Sequence, residues 1–209
     1  MKRGFFVTGT DTGVGKTTVS CALLHAFSKT GKSTAGMKPV ASGGDDAEKL
    51  MQASSVAISR DLANPYNFWE PLAPHIAAQR AGIEIDLEFI VEAYGKIEAD
   101  VVIVEGIGGF LVPLNRRQDA SDLARRLGLP AILVVGMRLG AINHALLTGE
   151  AIKSRGLRLA GWVANRIDPD VRAFEEMLDA IRQRINAPLL CAPPFDPDAR
   201  FLIDVSKLA

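Results

Sequence analysis

Residues Gly9 to Thr18 read GTDTGVGKTT and follow the apolar run Gly4-Phe5-Phe6-Val7-Thr8. A strand feeding a glycine-rich turn that ends in Gly-Lys-Thr builds a cradle for nucleotide phosphates. Glycine lets the backbone curl with its N–H groups turned inward, and the helix that follows adds its positive N-terminal end. At this spacing Lys16 reaches the β- and γ-phosphates and the Thr17 hydroxyl meets Mg²⁺. The strict pattern wants Gly at position 10; this chain has Thr10 there, with Gly9 one residue earlier. A turn that merely joins strand to helix has no need of Gly-Lys-Thr, so the segment is read as a site for ATP or GTP.

Two further segments bring charge to the same end of the sheet. The run Val101-Val102-Ile103-Val104-Glu105 closes an apolar strand with a carboxylate, then turns through Gly106-Ile107-Gly108-Gly109. In phosphate-loop proteins a strand beside the loop often ends in an acid that holds or orients Mg²⁺. An acid at that point could also just meet solvent, but glycine-rich backbone after it suits close approach to an anion. The second segment, Gly36-Met37-Lys38-Pro39-Val40-Ala41-Ser42-Gly43-Gly44-Asp45-Asp46, follows another strand candidate. Lys38 there can hold an anionic substrate or neutralise charge in phosphoryl transfer, and Ser42 offers a hydroxyl. Asp45 or Asp46 can complete an octahedral oxygen shell with Thr17 and Glu105. Asp46 also reads as a helix N-cap, and spacing alone does not choose between the two aspartates.

These groups need a scaffold, and the rest of the chain supplies one. Short apolar runs alternate with amphipathic stretches, the pattern of βα units and a parallel sheet. Strands are expected at Phe5–Thr8, Thr34–Lys38, Val101–Glu105, Ala131–Val135, Leu159–Ala164 and Leu189–Leu190. Helices are expected at Lys16–Lys29, Ala47–Ser54, Pro74–Ala81, Leu87–Glu98, Ala120–Leu127, Asn143–Arg155 and Val171–Ile185. Asn64–Leu72, rich in Pro and aromatics, reads as an ordered loop. The fold expected is a doubly wound α/β P-loop domain with a mainly parallel sheet, spanning residues 1–209 as one unit.

Composition narrows the partners. With 24 basic and 24 acidic residues the chain has no overall pull toward nucleic acid or an anionic membrane. The pairs Arg116-Arg117, Arg125-Arg126 and Arg182/Arg184 are interleaved with acids, as on a solvated helix face. Cys21 and Cys191 make no metal-ligand spacing and read as buried free thiols of a reducing compartment. The first strand starts too early to leave room for a signal peptide, and no apolar run reaches membrane length. A cytoplasmic protein is expected. His25 reads as helix surface and His144 as structural or interfacial. Trp69 and Trp162 read as packing residues.

The motifs GTDTGVGKTT, GMKPVASG, Asp46-Ala47, NPYNF, APHIAA, VEGIGG, LGAINHALLT and AGWVAN occur in this order. Together they resemble the dethiobiotin synthetase family over residues 4 to about 195. The resemblance implies ATP- and Mg²⁺-dependent closure of a ureido ring on 7,8-diaminononanoate, using CO₂, in biotin synthesis. An amine takes up CO₂ as a carbamate, the carbamate attacks the γ-phosphate of ATP, and the neighbouring amine then expels phosphate. By the same resemblance Thr17, Asp46 and Glu105 match the metal ligands, and Lys16, Lys38 and Thr12 the catalytic positions. Ser42, Gly108, Gly109 and Asn143 match substrate positions. Gly13, Val14, Gly15, Lys16, Thr17, Thr18, Gly106, Ile107 and Gly108 would surround the nucleotide phosphates. Asn165 with Arg166, and Pro193-Pro194-Phe195, would meet the base. The family is a homodimer with its substrate site near the subunit interface, and His75 falls near the substrate.

Position 13 is Gly where a well-known form of the motif carries Glu. Two other readings are weighed: an amidation domain acting on cobyrinic-type acids, and a ParA/MinD-like regulatory ATPase. The first usually carries a glutamine-hydrolysing domain that this length does not hold. The second wants Lys at position 11, where this chain has Asp11, and a basic or amphipathic targeting surface.

Overall fold

A computed structural model describes residues 2–195 and 201–208. Strand β1 (Arg3–Gly9) runs into helix α1 (Lys16–Lys29), then β2 (Thr34–Met37), β3 (Val40–Ser42) and α2 (Asp46–Ala53). A short turn of helix, α3 (Arg60–Ala63), precedes β4 (Tyr66–Phe68), α4 (Pro74–Arg80) and α5 (Leu87–Gly95). The second half alternates regularly: β5 (Val101–Glu105), α6 (Ala120–Leu127), β6 (Ala131–Met137), α7 (Ala141–Ser154), β7 (Leu159–Arg166), α8 (Phe174–Arg182) and β8 (Leu189–Cys191).

Six strands form one sheet in the order β2-β5-β1-β6-β7-β8, and every pairing in it is parallel. Side chains alternate across a strand, so a sheet buried on both faces must be apolar at every position. The central strands obey this until their carboxyl ends, where Thr8 and Glu105 are buried. Phe5, Val7, Val101, Ile103, Ile132 and Val134 face one apolar cluster with Val19, Leu23, Leu24 and Phe27 of α1. Phe6, Val102, Val104, Leu133 and Val135 face the other, with Ile90 of α5, Leu123 of α6 and Ile152 of α7. Parallel neighbours must all end at the same edge. The carboxyl ends of β1, β2 and β5 therefore meet there, which brings together Lys16 at the start of α1, Lys38 just after β2 and Glu105 at the end of β5. Among the described residues no helix is long and apolar enough to cross a membrane.

Most element expectations hold within two residues of their ends. Three do not. Helix α8 covers Phe174–Arg182, shorter than Val171–Ile185, because Ala173 adopts a left-handed φ of 54° that stops the helix going back further. The Asn64–Leu72 stretch is not only loop: its Tyr66–Phe68 pairs in parallel with Val40–Ser42 as a separate two-stranded sheet. Trp69 is 94% exposed and packs no core, whereas Trp162 is fully buried as expected. Cys21 and Cys191 are free and half-buried, and burial pushes the Cys21 thiol up to about 11, away from thiolate chemistry.

Candidate active site

The glycine-rich turn wraps a half-open cleft of about 670 Å³. Gly15 caps α1 with a φ of 87°, and a Cβ there would strike the Asn165 side-chain amide. Only glycine satisfies both conditions. Lys16 is 7% exposed, and its ammonium donates to the Asp11 carbonyl at 3.0 Å. Burial lowers its pKa to about 8, with the Lys38 cation adding to the effect against opposition from Glu105, Asp46 and Asp11.

Lys38 leaves the end of β2 and is 2% exposed. Its backbone is clamped on both sides: the N–H donates to Ala63 O at 2.7 Å, and its carbonyl accepts from Asn64 Nδ2 at 2.7 Å. The side chain lies between two carboxylates, with Nζ 2.9 Å from Asp46 Oδ2 and 2.6 Å from Glu105 Oε1. It also donates to Gly106 O at 3.2 Å. Burial by itself lowers a lysine's pKa. Here Glu105 and Asp46 outweigh it and hold the ammonium above its ordinary value.

Thr17 lies on the other side of the same carboxylates. Its Oγ1 is 2.9 Å from Asp46 Oδ1 and 3.0 Å from Glu105 Oε1. One hydroxyl proton cannot serve two carboxylate oxygens at once, and Lys38 sets one positive charge against two carboxylates, so the cluster keeps a net negative charge. Glu105 Oε2 is buried and without a partner. A hard, oxygen-loving cation fits this donor set. Among the described residues no three His, Cys, Asp or Glu side chains gather to hold a metal by themselves. Two carboxylates and a hydroxyl suit Mg²⁺, which takes few protein ligands and completes its octahedron with phosphate oxygens and water.

Asp46 and Asp45 are separated by the start of α2. Asp45 occupies the cap position without a side-chain capping bond and pairs outward with Lys49 at 2.7 Å. Asp46 is the first helical residue and turns inward, so it is not the N-cap. The short loop before it works because Gly43 and Gly44 both take positive φ, 72° and 78°. Burial raises a carboxylate's pKa, but Lys38 and the Thr17 hydroxyl hold that of Asp46 below its ordinary value.

The cleft is lined by Thr12, Gly13, Gly15, Lys16, Thr17, Thr18, Lys38, Ser42, Asp46, Glu105, Ile107 and Gly108. Ser42 Oγ is buried and unpartnered beside it. Gly13 has open space where a side chain would project. The structure brings these residues together and leaves others outside. Val14 is buried and packs into the core, but its carbonyl accepts from Asn165 Nδ2 at 2.8 Å, tying the end of β7 to the loop. Arg166 stacks over Phe174, 4.2 Å from the ring centre. Pro193, Pro194 and Phe195 follow β8; Pro193 is buried and the other two are exposed. Gly106 and Gly109 sit in the turn after β5, next to the lining residues. Asn143 is exposed in the first turn of α7 and does not line this cleft. His75 lines a neighbouring cavity of about 410 Å³ with Gln79 and Asn115 instead. Sequence reasoning missed Asn64, 5% exposed, whose side-chain amide holds the Lys38 backbone in place from outside the cleft. No local cue marked it, because Asn64 opens a Pro- and aromatic-rich stretch that reads as loop. A cavity of about 740 Å³ at the opposite end of α1 is larger, but holds none of the convergent groups described here.

A family model described as an AAA domain matches residues 3–200. The ATP-dependent dethiobiotin synthetase of Nitrosospira multiformis is 55% identical over 220 residues, covering 100% of this chain and 97% of the relative. That of Aromatoleum aromaticum is 56% identical over 203 residues, covering 92% and 90%. Among solved structures, the septum site-determining protein MinD from Pyrococcus horikoshii OT3, complexed with Mg-ADP, superposes with a TM-score of 0.60. At 19% identity, over 94% of this chain and 83% of that one, this likeness is one of fold.

Proposed function

The chain belongs to the dethiobiotin synthetase family, and on that premise we propose that it closes the ureido ring of dethiobiotin from 7,8-diaminononanoate, CO₂ and ATP. It is an ATP-dependent ligase of biotin biosynthesis. The observation that carries the finer reading is the meeting of Lys16 and Lys38, both buried, with Thr17, Asp46 and Glu105 in one cleft. Carbamate and triphosphate are both anionic, so their approach needs cations and backbone donors already in place.

In this reading CO₂ adds to one amine of the substrate, which loses a proton and becomes a carbamate. A carbamate oxygen attacks the γ-phosphorus and ADP leaves. The second amine attacks the carbonyl carbon of the resulting carbamic–phosphoric anhydride, closing the ring and expelling phosphate. No side-chain nucleophile enters, and the protein's work is positioning and charge compensation. Lys16 holds the β- and γ-phosphates with the N–H groups of Gly13, Val14, Gly15, Thr17 and Thr18. Lys38, Thr12 and Ser42 orient the carbamate, with the backbone of Gly108 and Gly109. Asn165, Arg166 and the Pro193–Phe195 segment meet the base. Thr17, Asp46 and Glu105 would hold Mg²⁺, which supplies charge compensation at the phosphate oxygens. The remaining substrate contact, Asn143, belongs to the face expected to meet a second copy in a homodimer. A cytoplasmic, single-domain enzyme completes the reading.

The test is ADP release with Mg·ATP and bicarbonate, with and without 7,8-diaminononanoate, followed by mass spectrometry for dethiobiotin. Diamine-dependent ADP with dethiobiotin in the same tube is expected. ADP release indifferent to the diamine, with no product, would move the chain toward the regulatory ATPases that share its fold.

The low pKa of Lys16 gives this reading a pH signature. At pH 9 the free protein holds Lys16 mostly neutral, since its pKa is about 8. A bound triphosphate favours the charged form, so binding takes up a proton. The Kd for ATP is expected to rise roughly tenfold per pH unit above 8, until the pKa of the complex is reached. Calorimetry at pH 7 and 9, in buffers of different ionisation heat, measures both the Kd and the proton count. A flat Kd with no proton uptake would separate Lys16 from the phosphates.

A further inference from the structure

We propose that the Lys38 ammonium is the resident cation of the carboxylate site in the nucleotide-free protein, and that a divalent cation displaces it toward the anionic substrate. The proposal deepens the reading above and rests on Asp46 and Glu105 being cation ligands.

The geometry supports it in three ways. Lys38 Nζ binds one oxygen of each carboxylate, at 2.9 and 2.6 Å, so its single charge is shared by both of the groups a metal would use and offsets one of their two negative charges. Glu105 Oε1 is claimed by Lys38 and by Thr17 together, at 2.6 and 3.0 Å, which leaves little room for a second cation at that atom. Glu105 Oε2 stays buried and unpartnered, and a metal could engage it once the ammonium withdrew. The backbone of Lys38 is fixed at both ends by Ala63 and Asn64, so its displacement is a swing of the side chain and not of the loop. Two like carboxylates beside one hydroxyl repel each other without a cation. A lysine placed there holds the site in shape before nucleotide arrives.

The consequence is a coupling between metal and substrate. With Lys38 on the carboxylates, its charge is spent within the protein and unavailable to a carbamate. Once metal takes the carboxylates, the same ammonium becomes a free counter-charge a side chain's length away. Metal loading then strengthens substrate binding, and by reciprocity substrate strengthens metal binding.

Mn²⁺ serves as the probe, read by electron paramagnetic resonance in the absence of nucleotide. Lys38→Met removes the competing ammonium and is expected to bind Mn²⁺ about tenfold more tightly than the wild type. An affinity within twofold of wild type, in a variant of unchanged circular dichroism, overturns the proposal. A wild-type measurement covers the case in which Lys38→Met does not fold. With ¹⁵N-labelled lysine, the buried Lys38 ammonium resonance is expected to shift on adding Mg²⁺ with ADP, and to stay in place with ADP and a chelator. A resonance unmoved while Mg·ADP binds overturns the proposal as well. Glu105→Gln separates the two levels. If it leaves Mn·ADP affinity unchanged, the ligand reading and the proposal fall together. If it weakens Mn·ADP but the Lys38 experiments give the negative result, the displacement alone falls.

Discussion

Replacing Lys16 by Met is expected to lower turnover by roughly three orders of magnitude or more, while leaving thermal stability at or above that of the parent protein. The two halves of this expectation have one cause. Lys16 is 7% exposed, and burial together with the Lys38 cation outweighs the pull of Glu105, Asp46 and Asp11 on its charge. Holding a charge whose pKa falls from 10.5 to about 8 costs the folded state roughly 3 kcal/mol at neutral pH. The sign follows from linkage: below pH 8 both folded and unfolded chains carry the proton, so the full cost is present, and it fades as pH rises through 8 toward 10.5. A methionine keeps most of the buried stem and sheds the charge. The protein thus carries this cation at the expense of stability, a cost that, on the proposed reading, a bound triphosphate would offset. Steady-state kinetics at saturating substrates and a calorimetric scan measure the two effects. Near-parental turnover would remove Lys16 from phosphate transfer. A midpoint lower by more than about 5 °C, some 1–2 kcal/mol for a chain of this size, would make the ammonium structural instead.

How much of this site could be read before the fold was known depends on how each residue is positioned. Lys16, Thr17 and Glu105 were legible because each stands where a buried strand meets a glycine-rich turn, and parallel strands must deliver such turns to one edge. Lys38 was legible for the same reason, as the first charge after an apolar run. Asp46 was not separable from Asp45 by spacing, since both sit at a helix start. Only the family resemblance chose between them; in the fold Asp46 meets Thr17 and Lys38, and Asp45 pairs outward with Lys49. What sequence did not reveal was pairing in space. That Lys38 bridges Asp46 and Glu105, residues 8 and 67 positions away, follows from the sheet order β2-β5-β1 and has no local trace. Strands β3 and β4 also left no signal. Three residues hold too few repeats for a period-two pattern, and the Pro and aromatics around Tyr66–Phe68 imitate a loop. Asn64 was hidden by the same surroundings, although it holds the Lys38 backbone. Asn165 was placed at the nucleotide base by resemblance. Its amide also donates to Val14 O, and this bond fixes the back of the phosphate loop from a neighbouring strand.

Glu105→Gln is expected to raise the Mg²⁺ concentration needed for half-maximal ADP release about 10- to 100-fold, and to destabilise the protein at the same time. The substitution is nearly isosteric, so it tests charge and not volume at a residue that is 1% exposed. An amide keeps one oxygen near Thr17 but weakens the attraction that a divalent ion needs. It also leaves Lys38, 2% exposed, with Asp46 as its remaining counter-charge. A buried ion pair that loses one partner costs about 3–5 kcal/mol, and retention of Asp46 should keep the loss toward the lower end. The two effects respond differently to metal. Saturating Mg²⁺ restores activity by mass action if Glu105 is a ligand, yet stability measured without metal and nucleotide stays low, because the Lys38 pairing is still broken. Glu105→Asp, which keeps the charge on a shorter stem, should recover more stability than metal affinity. A Mg²⁺ titration that coincides with the parent's, alongside the same loss of stability, would make Glu105 the counter-ion of Lys38 and nothing more. The carboxylate would then be required for the fold of the site and not for its metal.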